Sequence, residues 1–362
     1  MPRLPAIFHH TGLESTGGAT RVARLIMDGL SPDFETGLSF ELAEKADAAA
    51  ILPEEFGQYL PEDALPHIHC TGNWPALLAS IPEGRKTIIT LHDCELFTGG
   101  CPYPLGCSAI EEECVTPCPR NFPNSEELRK TKFTLLKRLD PVLVAPSRWL
   151  SRLAKKHLHQ SVTIIPNGIP WTDRPGSKKD ARQKLGINPA ARVALFAAHG
   201  GMNAAYKSGT AWKSLWEGIK AQLPEALCFA VGGDKAGRYD DLVVWPYVKR
   251  DRLRLLMTAA DVMLYPTKAD NHSLVILEAM AQALPVIAYA VGGVPEQIID
   301  QSTGLLISPG NKQEFINEAA VLLGNPMRCR DLGQTAFAAG KKRFSADRMV
   351  TDYIKLYTGT IS

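Results

Sequence analysis

The stretch Asp270-Asn-His-Ser-Leu-Val-Ile-Leu-Glu-Ala-Met-Ala-Gln-Ala-Leu-Pro-Val-Ile-Ala-Tyr289 places a helical pattern directly before a short apolar strand. Parallel strands need a long crossover connection, usually a helix, so this order is typical of a parallel sheet. Short apolar runs alternate with helical patterns along the rest of the chain as well. The sequence therefore predicts an α/β fold built from doubly wound parallel sheets.

The alternation falls into two sets separated by a segment rich in turn-forming residues. The first set predicts strands at 6–9, 36–40, 49–52, 67–71, 87–91, 142–145 and 162–165, and helices at 18–30, 75–80, 126–138 and 148–157. The second set predicts strands at 193–198, 227–231, 243–245, 262–265, 286–289 and 304–307, with a last helix at 346–357. Residues 166–176 are dense in Pro, Gly, Asn and Asp and predict a linker. We expect two domains with a cleft between them and ligands at the carboxyl ends of the strands.

Length and composition agree with this plan. At 362 residues the chain is long enough for two domains, each with its own core. Its composition is close to the globular average, which excludes collagen, coiled coil and wholesale disorder. It has no run of about 18 apolar residues, and its N-terminus lacks the pattern of a signal peptide. A cytoplasmic protein is expected.

The net charge of +2 conceals an uneven distribution. Residues 1–128 carry 7 basic and 19 acidic side chains, whereas residues 129–168 carry 9 basic and 1 acidic. The nine cations and the apolar residues among them lie on the two helices predicted at 126–138 and 148–157. They predict either contact of residues 129–156 with an anionic membrane, at the inner membrane face, or two amphipathic helices with solvated faces. Nucleic-acid binding is not expected, because no known module is present.

Half of the eight cysteines fall within 18 residues: Cys101, Cys107, Cys114 and Cys118. In a reducing compartment, four clustered thiols indicate a structural zinc site. Their spacings differ from the paired C-x₂₋₄-C of common zinc modules. Reduced packing cysteines, or a disulfide in an oxidising environment, remain open as alternatives.

Two segments of the first half have features of a ligand site. Gly17 and Gly18 lie between a predicted strand and a helix, where backbone N–H groups and the helix dipole favour an anion, although a plain tight turn explains them as well. His92 and Asp93 follow the strand at 87–91, at the edge of the sheet where ligands bind. The alternative is a histidine satisfied locally by Asp93.

In the second half, Asp270 and Glu278 are eight residues apart, the first before a helix and the second within it. Backbone N–H groups at residues 272–274, from His272 through Ser273 to Leu274, would then be free to bind phosphate. Glu278 could reach the hydroxyl pair of a sugar. The alternative is that Asp270 or Asn271 caps the helix and Glu278 is solvated.

The order of these motifs resembles that of retaining glycosyltransferases of the GT-B fold, family GT4 (glycosyl transferases group 1). The resemblance rests on Gly17-Gly18, Thr90-Leu-His-Asp93, Ala145-Pro-Ser147, Ile165-Pro-Asn-Gly168, Ala205-Tyr-Lys-Ser-Gly209, Asp270-x₇-Glu278, Leu277-Glu-Ala-Met-Ala-Gln-Ala-Leu-Pro-Val286 and Gly292-Gly-Val-Pro-Glu296. The block from His92 to Cys101, with the later cysteines, resembles a subgroup associated with exopolysaccharide and lipopolysaccharide assembly.

The resemblance implies two Rossmann-like domains facing a cleft. Residues 1–168, with a crossing helix at 346–362, would bind a glycan or lipid-linked acceptor, and residues 169–345 would bind a nucleotide diphosphate sugar donor. Glu278 would hold the ribose, Lys207 the diphosphate, and residues 272–274 a phosphate. Gly17, Gly18 and Asn167 would belong to the same ligand site, with His92 beside the transferred sugar.

Two positions depart from the family pattern. Met202 stands where the family usually has an arginine, and Asp270 replaces the usual glutamate. The implied mechanism is a front-face displacement in which the leaving phosphate oxygen accepts the proton of the acceptor hydroxyl, with no cofactor required for catalysis. A nucleotide-sugar epimerase or a glycan phosphorylase of the same layout, and a degenerate nucleotide-sugar-binding protein, are the alternatives.

Overall fold

In the computed structural model, residues 5–30, 34–46, 48–197, 206, 212–232 and 235–361 are described. The chain divides into two compact units, Met1–Gly168 with Ala346–Ser362 (unit 1) and Ile169–Ser345 (unit 2). Each unit has its own sheet and its own core.

Among its described residues, unit 1 contains a six-stranded sheet in which every neighbouring pair is parallel. The strands lie in the order β2-β1-β3-β4-β5-β6. Their bounds are β1 Ile7–Leu13, β2 Thr36–Leu42, β3 Leu65–Ile68, β4 Ile88–Thr90, β5 Val142–Ala145 and β6 Val162–Ile164. Because β1 lies between β2 and β3, the winding reverses at β1 and β3, and their carboxyl ends form the crevice typical of a ligand site.

Among its described residues, unit 1 has six α-helices. Five come before β6, and the sixth comes after unit 2 in the chain. They are α1 Gly18–Leu30, α2 Phe56–Tyr59, α3 Trp74–Ser80, α4 Ser125–Leu139, α5 Arg148–Leu158 and α13 Ala346–Ile361. The last of them, α13, packs on unit 1 because Tyr353 and Tyr357 are buried and bond to the sheet. The hydroxyl of Tyr357 lies 2.7 Å from His67 Nδ1, and that of Tyr353 lies 2.9 Å from Thr90 Oγ1.

The described residues of unit 2 form a seven-stranded sheet in the order β13-β12-β11-β7-β8-β10-β9. The strands are β7 Arg192–Ala197, β8 Ala226–Val231, β9 Gly237–Tyr239, β10 Leu242–Trp245, β11 Val262–Tyr265, β12 Val286–Tyr289 and β13 Gly304–Ile307. All pairs are parallel except the hairpin of β9 and β10. The winding reverses between β7 and β11, which places the ligand crevice of this sheet after Ala197 and Tyr265.

Helices cover both faces of the second sheet, and its apolar core is divided between them. They are α6 Lys178–Leu185, α7 Trp212–Gln222, α8 Arg250–Ala259, α9 Leu274–Ala281, α10 Val294–Gln297, α11 Lys312–Leu323 and α12 Pro326–Arg343. The strands β8, β11, β12 and β13 are apolar along their whole length, as expected where both faces of a parallel sheet are buried. No helix among the described parts of the chain is both long and apolar enough to cross a bilayer.

The predicted element order is confirmed, with three corrections. The strand predicted at 49–52 does not form: a 3-10 turn at Pro53–Glu55 follows, and Ile51 alone reaches the core, its N–H donating to Phe40 O at 2.9 Å. The strand predicted at 67–71 ends at Ile68. The antiparallel strand β9 was not predicted, because its three residues carry no apolar alternation.

Candidate functional site

In unit 2, the residues after β11 form a compact polar group at the reversal of the sheet. Tyr265, the last residue of β11, donates its hydroxyl hydrogen to Asp270 Oδ2 at 2.5 Å. Ser273 Oγ in turn donates to the Tyr265 oxygen at 3.1 Å. Burial, and then the neighbouring Asp270 carboxylate, raise the pKa of Tyr265 well above its ordinary value, so it remains a hydrogen donor. Asp270 is thus held by the sheet and does not cap the helix.

The start of α9 is clamped by a glutamine that the motif analysis did not single out. Gln297 is fully buried; its Oε1 accepts the N–H of Ser273 at 2.8 Å and its Nε2 donates to Ser273 O at 2.9 Å. The Ser273 N–H is therefore not available to phosphate, which corrects the window predicted at 272–274. The groups that the helix itself leaves without partners are the N–H groups of Leu274 and of the two residues after it.

The glycine pair at 292 and 293 fits against the backbone of Asp270. Gly293 N–H donates to Asp270 O at 3.0 Å. Gly292 has φ +58°, and a Cβ there would lie 2.0 Å from the same oxygen. Only glycine satisfies both conditions, so these residues serve to hold Asp270 and the start of α9 in place.

The other candidate residues of unit 2 differ in burial and in position. Glu278 lies on α9 and is half-buried, and His272 is buried with its ring edge-on to Phe344 at 5.2 Å. Lys268 is exposed just after β11. Lys207 and Met202 lie outside the described residues, in the segment that follows the carboxyl end of β7.

In unit 1, the loop between β1 and α1 carries the predicted glycines. Gly17 has φ +87°, α1 begins at Gly18, and a Cβ at Gly18 would meet nothing within 4 Å. The Glu44 carboxylate accepts the N–H groups of Ser15 at 2.5 Å and Thr16 at 2.8 Å. Desolvation opposes the ionisation of Glu44, but the hydrogen bonds from Thr16 and Ser15 outweigh it and lower its pKa to about 2. The loop therefore already binds one anionic group, ahead of the helix start.

A chain of histidines runs from the core of unit 1 to its ligand edge. His9 Nδ1 lies 3.0 Å from His69 Nε2, and His69 Nδ1 lies 3.2 Å from His92 Nε2. Burial lowers the pKa of His9 to about 3 and that of His92 to about 4, and it holds the pKa of His69 well below the ordinary value. All three are therefore neutral at physiological pH, each with one N–H and one bare nitrogen.

The hydrogen bonds among His9, His69 and His92 determine which ring nitrogen of each carries the hydrogen. His9 Nε2 is buried and has no hydrogen-bond partner among the described residues. An unpaired buried donor is rarer in proteins than an incompletely paired acceptor, so this nitrogen is best assigned as the bare one. His9 then donates from Nδ1 to His69, and His69 donates from Nδ1 to His92. His92 is left with its hydrogen on Nδ1 and acts there as a donor.

Two acids next to His92 are also strongly perturbed. Burial raises the pKa of Asp93 to about 6, and burial together with the Asp93 charge raises that of Glu95 to about 7. Burial lowers the pKa of Lys132 to about 8, against the pull of these carboxylates. Asp93 Oδ1 accepts the Glu95 N–H at 2.8 Å, while His92 bonds to His69. Perturbed groups gathered at a ligand edge are typical of functional sites.

Asn167 and the histidines of the core have structural partners. Asn167 is 5 % exposed, and its carbonyl oxygen accepts Arg348 of α13 at 3.3 Å. The ring nitrogens of His9, His67 and His69 lie within 4.8 Å of one another, a spacing that a metal ion could use. Both nitrogens of His67 are already bonded, to Tyr357 and Thr90 at 2.7 Å each, so hydrogen bonding accounts for this group.

The four clustered cysteines are reduced and line one small cavity of unit 1. Cys101 and Cys114 are buried, and Cys107 and Cys118 are half-buried. No three of the four sulfur atoms, all of them in described residues, lie within 4.8 Å of one another. The predicted tetrahedron of thiolates is thus not formed with these side-chain rotamers, although all four cysteines line the same cavity.

The basic block does not form one solvent-facing surface. Arg129 and Lys132 are buried, and Arg138 is half-buried with its guanidinium on the carbonyl oxygens of Leu78 and Ile81. Two more cations are in ion pairs, Lys130 with Glu126 and Lys156 with Glu111, each at 2.6 Å. Exposed cations of the block include Lys137, Arg148, Arg152 and Lys155. Membrane contact by residues 129–156 stays a prediction.

These geometries can be compared with those of known proteins. Residues 211–338 match the family "Glycosyl transferases group 1". This segment includes β11, α9 and the glycine pair. The resemblance to this family that was inferred from the motifs is confirmed.

Individual proteins similar to this chain include a glycosyltransferase and two solved structures of the same fold. A D-inositol 3-phosphate glycosyltransferase of Segniliparus rotundus is 29% identical over 215 residues, which are 54% of this chain and 47% of the relative. The chain thus spans about half the length of this curated relative. The structure is similar to sucrose-phosphate synthase of Thermosynechococcus elongatus, with a TM-score of 0.75, 17% identity and 98% of each chain covered. It is also similar to Anabaena Alr3699/HepE in complex with UDP-glucose, with a TM-score of 0.69, 16% identity, and 98% of this chain and 100% of that chain covered. The fold is that of the GT-B glycosyltransferases, as predicted.

Sequence reasoning missed Gln297, Tyr265 and the inner histidines His9 and His69. Gln297 directly follows the Gly-Gly-Val-Pro-Glu segment, but the charged Glu296 beside it left no signal that Gln297 is the buried residue of the two. His9 is the third residue of β1, and His69 directly follows β3. Nothing in their spacing shows that they meet, because the contact depends on the pairing of β1 with β3 and the two residues are 60 positions apart in the chain.

Proposed function

We propose that this protein is a retaining glycosyltransferase that moves a sugar from a nucleotide diphosphate sugar to a glycan or lipid-linked acceptor, in polysaccharide or lipopolysaccharide assembly. The observation that carries the proposal is the match of residues 211–338 to glycosyl transferases group 1, over the segment that holds Asp270, Glu278 and the start of α9. The likeness to a fold that binds UDP-glucose in HepE supports a nucleotide sugar donor.

The donor would bind at the reversal of the unit 2 sheet. The first-turn N–H groups of α9, from Leu274 onward, are suited to a phosphate because the helix dipole adds to their hydrogen bonds. Lys207 is proposed to neutralise the diphosphate, and Glu278 to accept hydrogen bonds from the ribose. The exposed Lys268 is a candidate to replace the charge that Met202 does not supply.

The acceptor would bind at the ligand edge of unit 1, beside His92, Asp93 and Glu95. In the proposed reaction the bond between the anomeric carbon and the diphosphate oxygen breaks, and the bond to the acceptor oxygen forms on the same face. The leaving oxygen takes the acceptor proton, so a metal ion is not required by this scheme. The protein would position both substrates and stabilise the negative charge on the leaving diphosphate.

The test is release of nucleoside diphosphate from a panel of UDP-, GDP- and ADP-sugars, with and without a glycan-lipid extract as acceptor. We expect one donor to be consumed only when acceptor is present, with the sugar appearing in the product in its original anomeric configuration. Glu278→Ala should weaken donor binding by calorimetry, while Lys207→Ala should chiefly lower kcat, by an amount worth a few kcal/mol. Donor isomerised without transfer would indicate the epimerase, and binding without turnover would indicate a binding protein; either contradicts the proposal.

A further inference from the structure

The segment Gly99–Asn124 of unit 1 is long for a loop and has little regular structure. Among its residues, only the 3-10 turn at Ser108–Ile110 is helical, and none belongs to a strand. Few of its side chains are buried, chiefly Cys101, Tyr103, Ala109, Ile110 and Cys114. Loops of more than about 15 residues are uncommon in compact domains unless something else fixes them.

Its four cysteines are the residues that its turns bring together. Cys101, Cys107, Cys114 and Cys118 line the same small cavity, together with Arg120 and the first residue of α4, Ser125. Thiols scattered for packing alone would have no reason to share one cavity from four separate turns. Their joint presence, with no disulfide among them, points to a common ligand that takes four sulfur donors.

The backbone around these sulfurs is arranged to donate to them. Gly99 N–H lies 3.3 Å from Cys114 Sγ, and Arg120 N–H lies 3.4 Å from Cys118 Sγ. A thiol accepts hydrogen bonds weakly, whereas a thiolate accepts them well because it is charged. Donors of this kind form the outer shell that orients the ligands of a metal centre.

Two arginines lie close to the sulfurs, Arg129 beside Cys114 and Arg120 beside Cys101, although burial still raises the pKa of the Cys101 thiol. Arg129 is only 4 % exposed, and it forms no salt bridge among the described residues, because the nearby Glu111 pairs with Lys156 instead. Its Nη1 instead donates to Ile110 O at 2.8 Å and lies 3.8 Å from Cys114 Sγ. A buried guanidinium without a counter-ion is costly. Four thiolates around a divalent cation carry a net charge of about −2, which Arg129 and the neighbouring Arg120 would balance.

We propose that Cys101, Cys107, Cys114 and Cys118 bind one structural Zn²⁺ that fixes the loop Gly99–Asn124. On binding, the four thiols release their protons to solvent and no electron is transferred. No three of the four sulfur atoms, all of which belong to described residues, lie within 4.8 Å of one another, so binding requires rotation of these side chains about χ1, which also changes the distances from the sulfurs to their backbone donors. The site is separate from the sugar-transfer reaction, so it stands or falls independently of the proposed function.

The experiment is elemental analysis of the full chain, purified without chelator from zinc-replete cells. We expect about one zinc per chain in the wild type. Cys118→Ser should lower the zinc content about tenfold, since three protein ligands hold structural zinc poorly. The control Cys70→Ser changes another half-buried thiol of unit 1, and its product should keep its zinc. A strong chelator should speed proteolysis within residues 99–124 of the wild type.

The wild type alone decides the matter if Cys118→Ser fails to fold. Wild-type protein with no zinc or other transition metal, and with all four thiols titrating freely, would overturn the proposal. A mass lower by two hydrogens per pair, which indicates disulfides, would overturn it as well. Substitution by Co²⁺ gives a further check, because a tetrahedral thiolate site then produces intense visible absorption, whereas a Co²⁺ complex without that absorption contradicts the ligand set.

Discussion

At the scale of single residues, the site of unit 1 depends on groups that burial keeps uncharged. His9, His69 and His92 are all neutral near pH 7, so the hydrogen bonds between them fix which nitrogen of His92 carries the hydrogen. The outermost ring is thereby held by a residue that never needs to contact the substrate. His69 is a positioning residue in this arrangement.

We expect His69→Phe to lower kcat about 10- to 100-fold, because His92 loses its fixed tautomer and orientation. The donor dissociation constant should stay unchanged. The direct measurement is ¹⁵N NMR of the histidine rings, in which His92 of the wild type should carry its proton on Nδ1 and the variant should show a mixture. His159→Asn, at an exposed histidine in left-handed conformation, is the control. A wild-type His92 protonated on Nε2 would refute the assignment.

The raised pKa of Asp93 predicts that the free energy of unfolding depends on pH. Its pKa is raised from 3.8 to about 6, so between these values the unfolded chain loses a proton that the folded chain retains. Stability therefore falls as the pH rises from about 4 to about 6, by about 1 to 2 kcal/mol after allowing for partial exposure. Asp93→Asn keeps the oxygen that accepts the Glu95 N–H and removes this loss. Urea unfolding at several pH values should show the variant gaining on the wild type across that interval; a constant difference would contradict the shift.

At the scale of elements, the start of α9 is positioned by two residues that come after β12. They are Gly292, in the loop, and Gln297, the last residue of α10. The glutamine clamps the backbone of Ser273, and the glycine lets the loop approach Asp270 O. A helix start that binds phosphate must be rigid, because its N–H groups act only if they point to the same spot.

Gly292→Ala should therefore lower the free energy of unfolding by more than the strain of a positive φ alone explains. Gly186 is the matched control: its φ of +66° is similar to the +58° of Gly292, but a Cβ there meets nothing within 4 Å. Gly186→Ala should lower the free energy of unfolding by about 1 kcal/mol. Gly292→Ala should lose about 2 kcal/mol more, because its Cβ would overlap Asp270 O, and it should weaken donor binding. Equal losses in urea unfolding would show that the close approach does not matter.

At the scale of the whole molecule, the chain returns to unit 1 for its last helix. Met349, Val350, Tyr353 and Tyr357 of α13 are buried, and Gly168 N–H, at the end of unit 1's first segment, lies 3.1 Å from Met349 Sδ. These side chains pack on unit 1, with Val350 against Gly29 of α1 and with Tyr353 and Tyr357 against the ring of His67.

Deleting residues 346–362 should destabilise unit 1 selectively. Four buried side chains at about 1.5 to 3 kcal/mol each are comparable to the whole stability of a domain. Hydrogen exchange should become fast in β1, β3 and β4 and remain slow in β11 and β12. Deletion of residues 359–362 alone is the control. Equal loss of protection in both sheets would contradict the independence of the two cores.

Tyr357→Phe, which leaves His67 Nδ1 without its partner, should lower the free energy of unfolding by about 1 to 2 kcal/mol.

Much of the fold could be predicted from the sequence, because buried parallel strands and their crossover helices have strong local patterns. The predicted strands at 262–265 and 286–289 and the helix at 18–30 match the structure residue for residue. The strand predicted at 49–52 was wrong, since four apolar residues before a proline carry the same pattern as a strand. The positions Asp270, Glu278 and His92 were found at strand ends or on the helix after one, where the fold places ligands.

The α/β class, the order of the elements, the likeness to a family of glycosyl transferases, and the short segments that end at the ligand edges all follow from the amino-acid sequence alone. These properties are local: they depend on periodicity, glycine positions and motif order along the chain. Only the tertiary structure decided the partners of the functional groups, namely Gln297 at Ser273, Tyr265 at Asp270, and His9 and His69 behind His92. Such pairings join residues up to 60 positions apart through the burial of polar groups. No pattern along the chain encodes them, because the cost of an unpaired buried group appears only once the strands are packed together.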